Sequence, residues 1–226
     1  MIRTLVPRPH VAALRFDKEA HRYTVLGIPR PSVTRIIAAA GMSPFGSSEP
    51  AITTPKMQIG KWMHDMLLLH FTGKLDEATL SPAMRLVLDQ TKVWFTDNGL
   101  EPLVAEVPLV HSLYWYAGTP DLVARSLTVN EIVVIDWKWG VKKACDVIQL
   151  GGYVELVRNC YDLGDAHIIA ISGHLKDILA GKHIKAISGK DLVNATGIFL
   201  AANACYRWRA AHGRLPQEED PDERLD

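Results

Sequence analysis

The chain has 226 residues, with 48% hydrophobic and 22% charged residues, so it has the composition of one soluble globular domain or one domain with a small appendage. That profile excludes global disorder, collagen and coiled coil. No apolar run approaches the roughly 18 residues of a membrane span. Lys plus Arg and Asp plus Glu are 25 each, so the formal charge is zero, but the last ten residues hold six acids and one Arg, which leaves +5 on the rest. A basic working face is therefore allowed without being announced. The opening MIRTLVPRPH lacks the apolar stretch of a secretory signal. Three scattered cysteines, Cys145, Cys160 and Cys205, fit a reducing compartment and are expected to be buried small hydrophobes. A cytoplasmic protein is expected.

LRFDKEAHRYTVLG reads as a β-hairpin. PSVTRIIAAAG reads as a short helix capped by Ser32 or Thr34 and ended by Gly41. MSPFGSSEPAITTP is a long loop. Helices are expected from Met57 to Phe71, and from Ser81-Pro82 to Gly99. Three strand-like runs follow: PLVAEVPLVH, WYAGTPDLVARS and EIVVIDWKW, with a turn at Asn130 between the last two. KACDVIQLGGYVELVRNCY reads as a helix despite its two glycines, AHIIAIS as a buried strand, and Lys190 to His212 as a long helix. The expected class is α/β, a mixed central sheet flanked by helices. Residues 1–56 form an N-terminal hairpin, helix and loop, residues 57–213 the core, and residues 214–226 an acidic disordered tail.

Chemistry is concentrated in Gly118-Thr119-Pro120-Asp121 and Ile135-Asp136-Trp137-Lys138. Side chains two apart on a strand share a face, so Asp136 and Lys138 point the same way. Asp121 lies on the preceding run, within reach if the two strands pair antiparallel. Two close carboxylates repel each other, and a divalent cation relieves that repulsion. Mg²⁺ takes one or two carboxylates, with water and phosphate oxygens completing its shell. The lysine is suited to orienting a water. Gln149 and Tyr153, four apart, share one helix face.

GTPDLVA, VVIDWKWG, QLGGY and the earlier GKWMH resemble the PD-(D/E)XK nuclease superfamily in its RecB-like and phage-exonuclease branch. The N-terminal Phe16, His21, Tyr23, Gly27 and Pro31–Thr34 are similar to phage nucleases of this kind. The resemblance spans roughly residues 14 to 172. It implies a restriction-endonuclease-like core in the order αβββαβ, and a Mg²⁺- or Mn²⁺-dependent DNA exonuclease with one or two ions, serving phage-type recombination or DNA processing in a bacterial or phage-infected cell. An endonuclease of the same fold, and a non-catalytic module binding nucleic acid or protein, are the alternatives. By position, Asp121 and Asp136 would be carboxylate ligands, the Trp137 carbonyl a further ligand, and Lys138 the group acting on water. His64 would be another ligand or would hold a water, and Gln149 and Tyr153 would support Lys138 or a phosphate. Glu106, a carboxylate inside an apolar run, is a further metal candidate. Lys56, Lys61, Lys142 and Lys143 are candidates for DNA phosphates. Trp137 and Trp139 are expected to pack under a helix, and Arg207, Arg209 and Arg214 to form a solvated helix face. Some relatives bind an iron–sulfur cluster; that needs four thiolates, and three cysteines exclude it. The partner implied is DNA, with a homo-oligomer or a recombination protein also allowed.

Overall fold

A computed structural model describes residues 4–43 and 55–215. After a short 3-10 turn (Pro9–Ala13), strands β1 (Leu14–Asp17), β2 (Arg22–Val25) and β3 (Ile28–Arg30) form an antiparallel meander. The sequence predicted only the first two. Asp17 Oδ1 accepts the Glu19 and Ala20 amides at 3.0 Å each and closes the first turn. Leu26 (φ 52°) and Gly27 (φ 79°) make the second, a two-residue turn with both centres left-handed, as tight hairpins require. Helix α1 (Val33–Ala39) follows. Ser32 is its cap, accepting the Arg35 amide at 3.1 Å, while Thr34 bonds back to the Ser32 hydroxyl.

Helices α2 (Pro55–Phe71) and α3 (Pro82–Asp97) come next, the second capped by Ser81. Two expected strands are each divided. PLVAEVPLVH becomes β4 (Leu100–Ala105) and β5 (Leu109–Val110), because Glu106 turns the chain at φ 44°. WYAGTPDLVARS becomes β6 (Ala117–Gly118) and β7 (Leu122–Ser126), separated by Thr119-Pro120-Asp121. β5 and β6 pair with each other, outside the main sheet. The chain continues through β8 (Glu131–Lys138), α4 (Ala144–Cys160), β9 (His167–His174), α5 (Leu175–Leu179) and α6 (Gly189–Ala211). Helix α5 is a single turn that hydrophobic periodicity did not reveal. The expected loop lies mostly, and the acidic tail almost wholly, outside the described residues, as does the side chain of Lys56.

The main sheet has the order β4-β7-β8-β9 and is mixed: β8 and β9 are parallel, the other pairs antiparallel. A parallel pair needs a crossover, and α4 supplies it. Alternation along β8 divides the core. Ile132 and Val134 meet α1, α4 and α6, whereas Val133, Ile135 and Trp137 meet α2, α3 and α5. The protein is thus α/β, with helices on both faces of the sheet. The glycines inside α4 are a packing requirement. A Cβ on Gly151 would stand 2.6 Å from the Ala195 backbone carbon of α6. Only glycine lets the two helices cross that closely. Among the described residues no helix is long and apolar enough to cross a membrane.

Candidate active site

β8 shares its parity with Ile132 and Val134 as it runs on to Asp136 and Lys138, so both charged side chains emerge on the α4 face. Asp136 is buried, and its Oδ2 lies 2.5 Å from the Lys138 ammonium. Gln149 of α4 bridges the pair: its Oε1 accepts from Lys138 Nζ at 3.0 Å, and its Nε2 donates to Asp136 Oδ1 at 3.2 Å and to the Tyr153 hydroxyl at 3.1 Å. The spacing of four that put Gln149 and Tyr153 on one face thereby makes a continuous polar chain.

Asp121 enters from the turn before β7. β7 and β8 are antiparallel, with Leu122 opposite Ile135; one further step of that register sets Asp121 against Asp136. The Trp137 amide donates to Asp121 Oδ2 at 2.6 Å. In a strand the N–H and C=O of one residue point to the same side, so the Trp137 carbonyl is directed toward Asp121 as well. The Trp137 ring lies on the other face and packs against Phe71, Trp94 and Phe95. His64 of α2 closes the site, its Nδ1 3.4 Å from Asp121 Oδ2. Glu106 donates its amide to the Asp121 carbonyl at 3.0 Å, and its carboxylate is 3.8 Å from the Lys18 ammonium.

Charge at the site is crowded. Burial pushes the Asp136 carboxyl up to about 6, against the Lys138 ammonium, and the Asp121 charge adds to the rise. Burial acts the other way on Lys138, but Asp136 outweighs it and holds the ammonium above its ordinary value. Burial alone would lower His64; the carboxylates of Asp121 and Asp136 overcome it and hold the imidazole up at about 9. Burial, with Asp121 adding, raises Glu106 against the pull of Lys18. Tyr153 is raised well above the phenol range by burial and the two carboxylates. Its hydroxyl therefore keeps its proton at neutral pH and acts through hydrogen bonds.

His64, Glu106, Asp121, Asp136, Trp137, Lys138, Gln149 and Tyr153 are thus drawn together from α2, the β4–β5 corner, the turn before β7, β8 and α4. The lysines expected to meet DNA are placed differently. Lys61 is exposed on α2, one turn before His64. Lys142 is paired with Asp177 at 2.9 Å. Lys143 begins α4, its amide donating to Asp146 Oδ2 at 2.9 Å. Trp139 is half-buried beneath the Lys176 ammonium, 5.1 Å from its ring centre. Of the three cysteines only Cys160 is buried; Cys205 is exposed on α6 and Cys145 is partly so, contrary to expectation.

Several neighbours escaped the sequence reading. Tyr23 Oη lies 2.8 Å from Thr119 Oγ1, just ahead of Asp121, and ties the N-terminal meander to the site. On β9, Ser172 and His174 stand opposite Asp136 and Lys138 in the parallel register. A parallel register is set by the crossover and leaves no local signal in the sequence.

Among the described residues, no group of three or more His, Cys, Asp or Glu side chains is arranged to hold a metal ion. The donor chemistry nevertheless suits a hard cation. Asp121 and Asp136 offer carboxylate oxygens and Trp137 a carbonyl, and Mg²⁺ asks for no more than one or two carboxylates. Asp136 is buried, and its Oδ2 is matched by the Lys138 ammonium at 2.5 Å. A buried carboxylate keeps its charge only in the company of a cation. No protein-family model matches the chain, and no curated protein matches it.

Proposed function

We propose that the protein is a divalent-metal-dependent deoxyribonuclease with a restriction-endonuclease-like core, an exonuclease of the PD-(D/E)XK type that acts in phage-type recombination or DNA processing. The observation that carries this reading is the bonded chain Asp136–Lys138–Gln149–Tyr153 beside an Asp121 fastened to the Trp137 amide. Few structural roles account for two carboxylates and a lysine converging on one sheet end, because burying them together is costly.

Asp121, Asp136 and the Trp137 carbonyl would hold Mg²⁺ or Mn²⁺, with His64 and Glu106 beside them, and the ion would supply Lewis-acid stabilisation of the negative charge that develops on phosphate. The protein's own groups do the rest. Lys138, oriented by Gln149, positions the attacking water and balances charge on the phosphorane. Water attacks phosphorus in line; the new P–O bond forms as the bond to the leaving sugar oxygen breaks, and no covalent enzyme intermediate arises. The Tyr153 hydroxyl keeps its proton and holds Gln149 in place.

End-labelled linear DNA, incubated with Mg²⁺ or Mn²⁺ beside a circular control, tests this. The linear substrate should be digested and the circle spared. Asp136→Ala and Lys138→Ala should each abolish digestion while circular dichroism shows an intact fold. Undiminished digestion by both variants refutes the reading; cutting of the circle replaces exonuclease with endonuclease.

A further inference from the structure

The loop from His111 to Tyr116, between β5 and β6, presents Trp115 in a conformation that a bulky side chain rarely adopts, φ 60°. The loop is held on every side. The His111 amide donates to the Tyr116 carbonyl at 2.9 Å. His111 Nδ1 accepts the Leu113 and Tyr114 amides, both at 3.1 Å. Asn203 of α6 donates to the Tyr114 carbonyl at 2.8 Å, and the Tyr116 hydroxyl donates to the Gly152 carbonyl of α4 at 3.0 Å. All this anchoring displays a tryptophan that is 47% exposed and so contributes little to the core. Backbone strain kept in place by so many bonds points to a use for the side chain it presents.

Two observations say what that use is. The Arg30 guanidinium of β3 lies over the Trp115 ring, 4.2 Å from its centre. Charge is also uneven along the chain: residues 4–43 hold six Lys or Arg against two Asp or Glu, whereas residues 57–213 hold fifteen against sixteen. The meander itself, Leu14–Arg30, holds four of those Lys or Arg against both acids, so a modest positive charge stands beside Trp115, and phosphate is its natural counterpart. The platform is joined to the carboxylates through two links. Arg30 pairs across β2–β3 with Tyr23 and Tyr23 touches Thr119, and Trp115 lies six positions before Asp121, at the other end of β6.

We propose that Trp115, backed by Arg30, is a stacking platform for an unpaired base of single-stranded nucleic acid, on a strand that runs on along β6 toward Asp121 and Asp136. This deepens the nuclease reading and rests on it for the substrate. An aromatic face accepts any base, so the platform favours single strands over duplex without reading sequence.

The test uses the full chain in EDTA, where no metal-dependent cleavage occurs, and the fluorescence anisotropy of a labelled 12-nucleotide oligo(dT) and of a blunt duplex. Trp115→Asn should weaken oligo(dT) binding by roughly 5- to 100-fold, in line with the loss of one base stack. Trp115→Phe should recover most of it. Asn tolerates the left-handed backbone, so Trp115→Asn should melt no lower than the parent; a tryptophan needed only for folding would lower the melting temperature instead. Parent-like oligo(dT) affinity in Trp115→Asn overturns the platform, as does binding of the duplex alone. If DNA is digested but affinity ignores Trp115, the platform falls and the nuclease reading stands. If affinity depends on Trp115 but no metal yields digestion, the platform stands and the nuclease reading falls.

Discussion

Gly173→Ala is a change of one methyl group that should reach the site from the far side of the sheet. Gly173 of β9 stands opposite Trp137 of β8. A Cβ there would lie 2.4 Å from Trp137 Cε3 and 2.6 Å from Cζ3, where carbon atoms ordinarily rest about 3.5–4.0 Å apart. The indole would have to retreat by roughly 1 Å. Little room exists for that: Phe71 stacks on it at 6.2 Å, with Trp94 and Phe95 at the same separation. The backbones of both strands are fixed in the ladder. Overpacking of this kind costs about 1–3 kcal/mol, and the rigid surroundings favour the upper end. At about 2–4 °C per kcal/mol for a chain of this size, the melting temperature should fall by about 6–12 °C. Trp137 also donates the amide that fixes Asp121, so the digestion proposed for the protein should fall further than the lost stability alone explains. Thermal unfolding followed by circular dichroism, with Gly140→Ala as the control, measures the effect; no atom lies within 4 Å of a Cβ at Gly140. A melting temperature within about 1 °C of the parent would show that Trp137 is not boxed in as described.

Two further outcomes are expected. The folded pKa of His64 is raised from 6.5 to about 9, so its contribution to stability in the metal-free protein is complete below pH 6.5 and disappears as pH rises through 9. Chemical denaturation at pH 6, 7.5 and 9.5 should show the parent losing stability relative to His64→Gln across that range; a constant difference contradicts the His64–Asp121 pairing. Burial pushes the Cys160 thiol up to about 12, whereas Cys205 is exposed. A thiolate is the reactive form, so a disulfide reagent should label Cys205 quickly and Cys160 only on unfolding. Peptide mapping that finds Cys160 labelled at the rate of Cys205 in the native protein contradicts its burial.

The elements with strong punctuation were legible in the sequence. Ser32 and Ser81 start helices, Gly41, Gly73 and Gly99 adopt the left-handed backbone beyond them, and the helices and long strands fall close to their expected bounds. The division of PLVAEVPLVH was not legible, because Glu106 takes its positive φ without a glycine or asparagine to announce it, whereas the division of WYAGTPDLVARS falls at Gly118-Thr119-Pro120, a turn signal within an apolar run. PLVAEVPLVH looks like one apolar strand for the same reason that both its halves are apolar: each is half-buried or buried, but in different sheets. The gathering of Asp121, Asp136, Lys138, Gln149 and Tyr153 was legible from periods of two and four and from the order of the motifs. The closeness of Tyr23, Ser172 and His174 was not, since it depends on how the meander docks and on the parallel register.

Asp121 is anchored by a main-chain amide of β8 as well as by the His64 imidazole. The main-chain bond ties its separation from Asp136 to how β7 lies against β8. Neutral drift at the periphery would spare this spacing, while a slip of one residue between those two strands would destroy it at a stroke.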